Sequence, residues 1–295
     1  MQSPPALLVT GASGLIGRAL AERRSVLPLS RRQPAPDAPW WDPAAGDVHG
    51  LDSHTLGAVV HLAGENVGEG RWTAEKKARI RDSRVQGTRT LVSYLQGRTQ
   101  RPEVLVSASA VGIYGDRGDQ VVAEDTPAGT GFLAEVAEAW EAEADRAADV
   151  GIRVVKLRIG IVLAADGGAL AKMLPPFRLG AGGPLGSGKQ WFPWVHLEDV
   201  VGAIEWALTT SSARGVYNLV APEPVRQKDF ARALGAAVGR PAVVPAPAFA
   251  LRLALGEFAD EGLLAGQRCV PARLREEGYA FRQPALADAL KTVVG

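Results

Sequence analysis

Short apolar runs alternate with helical patterns through the first two-thirds of this chain. The runs consist mainly of Val, Leu, Ile and Ala, and they predict strands at residues 6–9, 26–29, 58–62, 104–107, 153–157 and 216–219. Helical periodicity between the runs predicts helices near residues 14–23, 74–95, 132–149 and 197–208. Strands that alternate with helices and lack a solvated face are typical of a parallel sheet covered on both sides. We therefore predict an α/β fold of the Rossmann type, with a doubly wound parallel sheet.

The last quarter of the chain has a different pattern. After residue 218 the sequence is rich in Ala and Leu, and it predicts helices at residues 227–238, 249–256 and 260–266. We expect residues 1–220 to form the Rossmann domain and residues 221–295 to form a smaller, mostly helical C-terminal lobe, to which residues 165–196 would contribute. Two segments predict irregular structure. They are the proline-rich residues 33–43, and residues 180–188, whose five glycines indicate a mobile flap or a loop that contacts phosphate.

A Gly-x-x-Gly-x-x-Gly turn joins the first predicted strand to the first predicted helix. Its glycines are Gly11, Gly14 and Gly17. Glycine at these positions permits positive φ, close approach of the backbone to a pyrophosphate, and tight packing of helix against strand. The free N–H groups at the start of the helix then favour an anion. A plain glycine-rich turn would need no ligand, but the agreement of strand, spacing and helix favours binding of a dinucleotide.

The residues at the end of the second predicted strand help to distinguish NAD from NADP as the dinucleotide. That strand ends in Ser30, Arg31 and Arg32, where NAD-binding sheets of this kind place an Asp or Glu for the ribose 2′-hydroxyl. A carboxylate would repel a 2′-phosphate, whereas a guanidinium binds one through charge-assisted, bidentate hydrogen bonds. The alternative is that both arginines are solvated loop charges. Their position after the second strand favours NADP(H).

Composition narrows the classes of partner. The 295 residues carry a net charge of +1, with 46% apolar and 22% charged residues, so no overall field would recruit nucleic acid or an anionic membrane. Cys269 is the one cysteine, which excludes an intramolecular disulfide and a cysteine-based metal site and fits a reducing compartment. No run of about 18 apolar residues predicts a membrane span, and the first residues do not resemble a signal peptide. We expect a cytoplasmic protein with a small-molecule partner and no metal.

Three further motifs, taken with the glycine turn, resemble those of a known superfamily. They are His61-Leu62-Ala63-Gly64 after a central strand, Ser107-Ala108-Ser109, and Tyr114-Gly115. This set resembles the extended short-chain dehydrogenase/reductase superfamily in its epimerase-like branch. Residues 64–72, 82–88, 177–200 and 266–274 further resemble an atypical subfamily of NAD-dependent epimerase/dehydratase-like proteins, some of them labelled cell-division-inhibitor-like. The resemblance extends to a C-terminal module from about residue 246, and it implies that the C-terminal lobe covers the substrate.

The resemblance also assigns residues to the cofactor. The pyrophosphate would lie along the glycine turn and the start of the next helix, at Gly11, Ser13, Gly14, Ile16 and Gly17. The remaining contacts would come from Ser30 and Arg31 on the 2′-phosphate, with Arg32 as an alternative, and from Leu62, Ala63, Arg84 and Ser107. Core packing is the alternative for Leu62 and Ala63, and a surface salt bridge is the alternative for Arg84.

The catalytic dyad that the resemblance implies is missing. Active members of the superfamily carry Tyr-x-x-x-Lys on the helix after the fifth strand. A phenol that ionises near pH ~10 needs a positive neighbour to exchange its proton near neutrality. Phe132 stands at the tyrosine position and Val136 at the lysine position. The helix contains neither Tyr nor Lys, so a shift of register does not restore the pair.

Three other side chains are candidates for catalysis. Ser109 matches the superfamily's active-site serine, and Ser107 would orient it; the alternative is that both hydroxyls satisfy their own strand backbone. Tyr114 would supply a proton or simply pack. A histidine titrates near neutrality, so His196 would transfer a proton or else be structural. We expect an NADP(H)-dependent oxidoreductase or epimerase-like enzyme with an unusual proton relay; the alternative is a non-catalytic NADP(H)-binding regulator or redox-responsive scaffold.

Overall fold

The computed structural model describes residues 5–33 and 35–294. The strands are β1 (Ala6–Thr10), β2 (Leu27–Leu29), β3 (Trp40–Asp42), β4 (Asp47–His49), β5 (Leu56–His61), β6 (Val104–Ala110), β7 (Val121–Val122), β8 (Arg153–Ile159), β9 (Ile161–Leu163), β10 (Trp191–Phe192), β11 (Trp194–His196), β12 (Gly215–Leu219), β13 (Val225–Arg226) and β14 (Arg268–Cys269). The α-helices are α1 (Leu15–Ala21), α2 (Ala74–Gly97), α3 (Phe132–Asp145), α4 (Gly168–Arg178), α5 (Leu197–Thr209), α6 (Gln227–Ala237), α7 (Ala248–Leu255), α8 (Ala272–Glu276) and α9 (Leu286–Val294). Two 3₁₀-helices span Val111–Tyr114 and Arg146–Val150, and a π-helix spans Ala259–Leu264.

Six parallel strands form the central sheet, in the order β12-β8-β6-β5-β1-β2. All six predicted strands belong to this sheet, so the predicted Rossmann-type fold is confirmed. The chain passes from β1 to β2 on one side and continues in β5 on the other side of β1. The carboxyl ends of β1 and β5 therefore form the switch point, at which open α/β sheets bind their ligands.

Alternate residues of the central strands face two different apolar layers. Val9 and Val106 lie in the layer that packs against α1 and α5. Leu8 and Leu105, their immediate neighbours in sequence, lie in the layer that packs against α2 and α3. Successive side chains of a strand point to opposite faces, and here both faces are buried. This double burial explains why the strands have no polar face in the sequence.

The segment between β2 and β5 is more regular than predicted. Residues 33–43 were expected to be irregular, whereas β3 and β4 form an antiparallel hairpin and Ser30 bridges to Trp40. Trp41 is almost completely buried and packs in the layer of α2 and α3. Burial of this large side chain outweighs the effect of the surrounding prolines. Pro34 of this segment lies outside the described residues.

The glycine-rich residues 180–188, predicted to be a mobile loop, pack against the chain that precedes α7. The amide of Val244 donates to the carbonyl oxygen of Gly182 at 3.1 Å. A Cβ on Gly183 would overlap the backbone of Val244. The glycines therefore serve close packing of two backbone segments in this structure.

A third apolar cluster joins α4 and the short strands to the C-terminal helices. It contains Phe177 of α4, Phe192 of β10, Phe230 of α6 and Leu290 of α9. The rings of Phe192 and Phe230 lie 4.2 Å apart between centroids. Residues 165–196 thus pack with the C-terminal segments, while the boundary at residue 220 stays a prediction. Within residues 5–33 and 35–294, no helix combines the length and the apolar character that a membrane span requires.

Candidate cofactor site and active site

The glycine turn closes tightly against the end of β5. Gly11 has a φ of +71°, and a Cβ there would lie 2.8 Å from the carbonyl carbon of Leu62. A Cβ on Gly17 would overlap the carbonyl oxygen of Gly11 and the backbone of Ala12. The fold itself therefore requires two of the three glycines. Gly14 is exposed, so the space beside it is open to a ligand.

The first turn of α1 follows directly and presents unpaired amides. Within the described chain, the amides of residues 15–17 have no acceptor, as expected for the first turn of a helix. Ser13 and Gly14 are exposed beside them, and Ile16 is half-buried. Amides at a helix N-terminus stabilise phosphate oxygens. The turn and α1 together therefore fit a diphosphate.

A buried chain of hydrogen bonds connects β1, β5 and α2 at the switch point. The hydroxyl oxygen of Thr10 accepts from the two amides that follow β5, both at 3.2 Å, and it lies 2.7 Å from His61 Nδ1. His61 Nε2 lies 2.9 Å from the hydroxyl of Thr88, which donates to the carbonyl oxygen of Arg84 at 2.6 Å. Because the hydrogen of Thr88 is used there, His61 Nε2 donates and His61 Nδ1 accepts.

His61 is neutral in this chain of hydrogen bonds. Its side chain is fully buried, and burial, followed by the charge of Arg84, lowers the pKa of His61 to about 4. Leu62 and Ala63 come directly after it and are half-buried, with their amides bonded to Thr10. The neutral histidine therefore fixes the backbone that was predicted to contact the cofactor.

Arg84 reaches from α2 to the loop that follows β5. Its Nη1 donates to the carbonyl oxygens of Glu65 at 3.0 Å and Ile80 at 3.2 Å. The guanidinium lies 5.2 Å from the ring centroid of Trp140, and a Cβ on Gly64 would meet it at 3.2 Å. Burial lowers the pKa of Arg84 to about 10, although the charge of Glu65 opposes this. Arg84 forms no ion pair with any described residue, so its Nε and Nη2 groups are available to a ligand.

The end of β2 presents two arginines to solvent. Ser30 is half-buried, and its carbonyl oxygen accepts from the amide of Trp41 at 2.9 Å. Arg31 and Arg32 are exposed, and neither makes a hydrogen bond or an ion pair with the part of the chain that the structure describes. Leu29 pairs with Thr10, so these arginines lie next to the carboxyl end of β1. They can bind a phosphate without breaking an existing ion pair.

Ser107 and Ser109 are buried in the layer of β6 that faces α3. Ser109 donates to Glu141 at 2.6 Å, and Arg158 binds both oxygens of the same carboxylate at 2.8 and 2.9 Å. Burial alone would raise the pKa of Glu141, but the hydrogen bonds and charge of Arg158 lower it overall. Ser107 donates to the carbonyl oxygen of Ala108 at 3.2 Å. Ser109 therefore belongs to a charged network, whereas Ser107 bonds to its own strand.

Tyr114 shares this network. Its hydroxyl donates to Asn218 Oδ1 at 2.7 Å and accepts from Arg158 Nη1 at 2.7 Å. The side chain is fully buried, and burial raises the pKa of Tyr114 to about 12 although Arg158 opposes this. The phenol therefore keeps its proton near neutrality. The structure thus places two of the three catalytic candidates in one network, Tyr114 in contact with Arg158 and Ser109 joined to it through Glu141.

His196 lies apart from that network, at the N-cap of α5. Its Nδ1 accepts from the amide of Glu198 at 3.1 Å, and its Nε2 lies 3.1 Å from the hydroxyl of Thr292 on α9. Burial lowers the pKa of His196. Both ring nitrogens have protein partners, as a structural cap requires. A catalytic role for His196 stays a prediction.

Phe132 and Val136, which stand at the two positions of the missing dyad, have apolar surroundings. Phe132 begins α3, and its ring packs edge-on against the ring of Trp72, with 5.2 Å between the ring centroids. The ring of Phe258, from the C-terminal module, also packs against Trp72, with 5.3 Å between the centroids. Val136 is buried, with 3% of its surface exposed. The carboxylate of Glu261 accepts from the first two amides of α3 at 2.9 and 2.8 Å. The C-terminal module thus caps α3 at the place where the dyad was expected.

Sequence reasoning missed the polar partners that organise this site. They are Thr10, Thr88, Glu141, Arg158 and Asn218. A charged residue inside a run of buried apolar residues is unusual, and Arg158 in β8 is such a residue. That signal could have found the ion pair. Across the described residues, no group of His, Cys, Asp and Glu side chains is arranged to hold a metal.

Comparison with known proteins finds relatives along almost the whole chain. Residues 7–219 match the model of the NAD dependent epimerase/dehydratase family, and residues 246–293 match a domain of unknown function, DUF1731. An epimerase family protein of Mycobacterium bovis is 42% identical, over 96% of this chain and 95% of its own length. An epimerase family protein of Arabidopsis thaliana, named a chloroplastic SDR39U1 homolog, is 40% identical over 99% and 88%.

A solved structure of a relative agrees with this match. The crystal structure of human epimerase family protein SDR39U1 with NADPH has a TM-score of 0.88 and 35% identity, and the match covers 98% of each chain. The superfamily and the C-terminal module that the sequence resembles are therefore confirmed, and a nicotinamide cofactor is supported.

Proposed function

This chain belongs to the NAD dependent epimerase/dehydratase family, and from that premise we propose that it binds NADP(H) and acts as an oxidoreductase or epimerase-like enzyme on a small molecule. The observation that carries the proposal is the pairing of an open glycine turn with the unpaired Arg31 at the end of β2. The human relative was solved with NADPH, which supports the same choice of cofactor.

The residues at the carboxyl edge of the sheet fit this cofactor. The turn and the first amides of α1 would hold the diphosphate, and Ser30 and Arg31 would hold the 2′-phosphate, with Arg32 beside them. Leu62, Ala63 and Arg84 would line the dinucleotide on the β5 side. When bound, the nicotinamide supplies the hydride, and the protein has to orient the reactants and exclude water.

Ser109 would take a specific part in substrate binding. Its hydrogen is used by Glu141, so its oxygen can only accept a further hydrogen bond in this arrangement. A substrate hydroxyl meets that requirement, whereas a carbonyl oxygen does not. Arg158 and Tyr114 hold the network rigid from the side of β8 and β12. We therefore assign Ser109 to recognition of an alcohol group.

A non-catalytic NADP(H)-binding regulator is the second candidate function. The apolar surroundings of Phe132 and the burial of Val136 favour it, because neither position can exchange a proton. The double variant Phe132→Tyr with Val136→Lys distinguishes the two. Activity that appears only in this variant, with an inert parent, supports the regulator. Activity of the parent protein supports the enzyme.

The cofactor choice is tested by titration with NADPH and NADH. Loss of a charge-assisted hydrogen bond costs about 1.5–3 kcal/mol, so Arg31→Asp should weaken NADPH binding roughly 10- to 150-fold and leave NADH binding almost unchanged. Arg24→Asp, which removes an exposed arginine just beyond the other end of α1, is the matched control. Equal losses for both cofactors in Arg31→Asp would place the 2′-phosphate elsewhere.

Activity is tested by following NADPH absorbance with a panel of aldehydes, ketones and quinones. Oxidation that depends on the carbonyl compound supports the enzyme. Tight NADPH binding without oxidation by any compound class counts against it and in favour of the regulator.

The compartment and the partners belong to the same proposal. The buried lone Cys269 fits a reducing compartment such as the cytoplasm. The plant relative is named as chloroplastic, so cell fractionation with an antibody is the direct test. The proposed partner is a small molecule, since the net charge of +1 provides no field for nucleic acid.

A further inference from the structure

We propose that Lys77 on α2 is the catalytic residue that gives a proton to the substrate oxygen, and that Glu257 of the C-terminal module positions it. This inference rests on the proposed oxidoreductase function and names the side chain that such a reaction needs. It is carried by the placement of one ammonium group between α2, α3 and the C-terminal module.

Lys77 lies on the side of the sheet at which the carboxyl ends of the strands open and the cofactor would bind. It lies in the first turn of α2, which follows the loop after β5. Its Nζ is 4.6 Å from the ring centroid of Phe132, the first residue of α3. The N-termini of both helices therefore meet at Lys77, beyond the carboxyl ends of β5 and β6, and Lys77 lies about 16 Å along α2 from Thr88, which contacts the end of β5. Ligands of open α/β sheets bind beyond those strand ends.

The ammonium group of Lys77 is fixed by two hydrogen bonds and keeps one N–H without an acceptor among the described residues. Its Nζ donates to both carboxylate oxygens of Glu257, at 2.8 and 2.9 Å. A lysine ammonium has three N–H bonds, and the third has no acceptor among the described residues. The side chain is 30% exposed, so Nζ can exchange protons with water. The aromatic face of Phe132 on one side and Glu257 on the other fix its direction.

Four other proton carriers on this side of the sheet are already engaged. Tyr114 is buried and keeps its proton, and Ser109 donates to Glu141. The Nζ of Lys76 donates to Glu65 at 2.7 Å, and this side chain is only 7% exposed. Glu261 accepts from the amides at the start of α3. Lys77 alone in this group combines a free N–H with access to water.

Lys77 would give its proton to the oxygen of a carbonyl substrate. Reduction of a carbonyl needs a hydride at carbon, which NADPH supplies, and a proton at oxygen, which the Lys77 ammonium supplies. The C=O double bond becomes a C–O single bond, and an alcohol, NADP⁺ and a neutral lysine amine result. A proton from the bulk solvent then restores the ammonium, so each turnover consumes one NADPH and one proton. The reverse sequence describes oxidation of an alcohol.

Nuclear magnetic resonance tests the placement of Lys77 without turnover. The chain has seven lysines, so protein labelled with ¹³C at lysine Cε gives seven signals, and the signal lost in Lys77→Arg identifies residue 77. We expect NADP⁺ to move the Lys77 signal and its titration midpoint, and to leave the signal of Lys291 unchanged. Lys291 is the control because its exposed pair with Asp288 lies on α9. An unmoved Lys77 signal in protein that binds NADP⁺ overturns the inference and leaves the cofactor proposal standing.

Kinetics separate proton donation from a merely structural ion pair. Lys77→Arg keeps the charge and the bond to Glu257 but does not release a proton near neutrality. We expect Lys77→Arg and Lys77→Met to lower kcat for reduction of 9,10-phenanthrenequinone by about 10²–10⁴-fold, with NADPH affinity kept. Glu257→Gln should shift the pH profile of kcat, and Lys291→Arg should change nothing. Parent-like kcat in Lys77→Arg overturns the inference. Absence of NADPH oxidation by the parent with this quinone and with every other compound of the carbonyl panel overturns the proposed reaction and the inference together, whereas an unmoved Lys77 signal overturns the inference alone.

Discussion

The buried His61 makes the stability of this protein depend on pH in a calculable way. Its side chain is fully buried between Thr10 and Thr88, and its pKa is lowered to about 4. In the unfolded chain a histidine ionises near pH ~6.5. Between these two values the unfolded chain binds a proton that the folded protein does not bind. The free energy of unfolding therefore falls as the pH is lowered through this interval.

The magnitude follows from the difference between the two pKa values. Each pH unit between 6.5 and about 4 is worth about 1.4 kcal/mol, so His61 should remove about 3 kcal/mol of stability over this interval. The contribution is complete above pH ~6.5 and is lost as the pH approaches 4. Because His61 fixes the backbone after β5, NADPH affinity of the folded protein should fall only as the pH approaches 4, where folded His61 gains its proton.

The assay is urea denaturation at a series of pH values, for the parent and for His61→Gln. Glutamine has an amide oxygen that accepts and an NH₂ group that donates, but no titratable group, so the variant should be less stable at pH 7 and its stability should depend less on pH below 6.5. The difference between the two curves isolates His61 from the other groups that titrate here. His49→Gln removes an exposed histidine and should keep the parent slope. Parallel curves for the parent and His61→Gln would refute the reasoning.

Two further predictions concern the ion pair and the glycine turn. Arg158→Met leaves Glu141 buried with only Lys156, at 3.8 Å, to offset its charge, so denaturation should show a loss of up to about 3–5 kcal/mol. The double variant with Glu141→Leu should lose less, and additive losses would contradict the buried pair. Gly17→Ala forces a Cβ against the backbone of Gly11 and Ala12 and should destabilise by about 1–3 kcal/mol and weaken NADPH binding. Gly14→Ala places its Cβ 3.2 Å from the carbonyl oxygen of Gly11 and should destabilise less; equal stability of the two variants by thermal denaturation would contradict the close packing.

The fold could be predicted because burial on both faces leaves a local mark in the sequence. Residues 104–107 and 153–157 read as strands since nearly every side chain in them is buried. The prediction of irregular structure for residues 33–43 was wrong for the opposite reason. Their prolines are a local signal, whereas the order of β3 comes from burial of Trp41 against α2, which is distant in the sequence. Tertiary contacts outweighed the local preference there.

The same difference between local and distant contacts decides which parts of the candidate site could be predicted. Gly11, Gly14 and Gly17 lie within seven residues, so a diphosphate cradle could be predicted from spacing alone. The residues that surround Phe132 could not be predicted from the sequence. Glu261 reaches the start of α3 from 129 residues further along the chain, and Phe258 arrives from the same module. Hydrophobic pattern and motif spacing contain no information on which distant segments meet.

The positive charge at this edge of the sheet comes from α2 rather than from α3. Val136 cannot carry a charge, yet Lys77 lies over Phe132 at 4.6 Å and Arg84 lies over Trp140 at 5.2 Å, so two cations of α2 face two aromatic rings of α3. The effect of a charge on a reacting oxygen depends on its distance and on the local dielectric, and not on the helix that bears it. Without a Tyr-x-x-x-Lys motif, α3 has no lysine of its own, but Lys77 and Arg84 of α2 still provide positive charge beside it. The absent motif is weak evidence against catalysis in this protein for that reason.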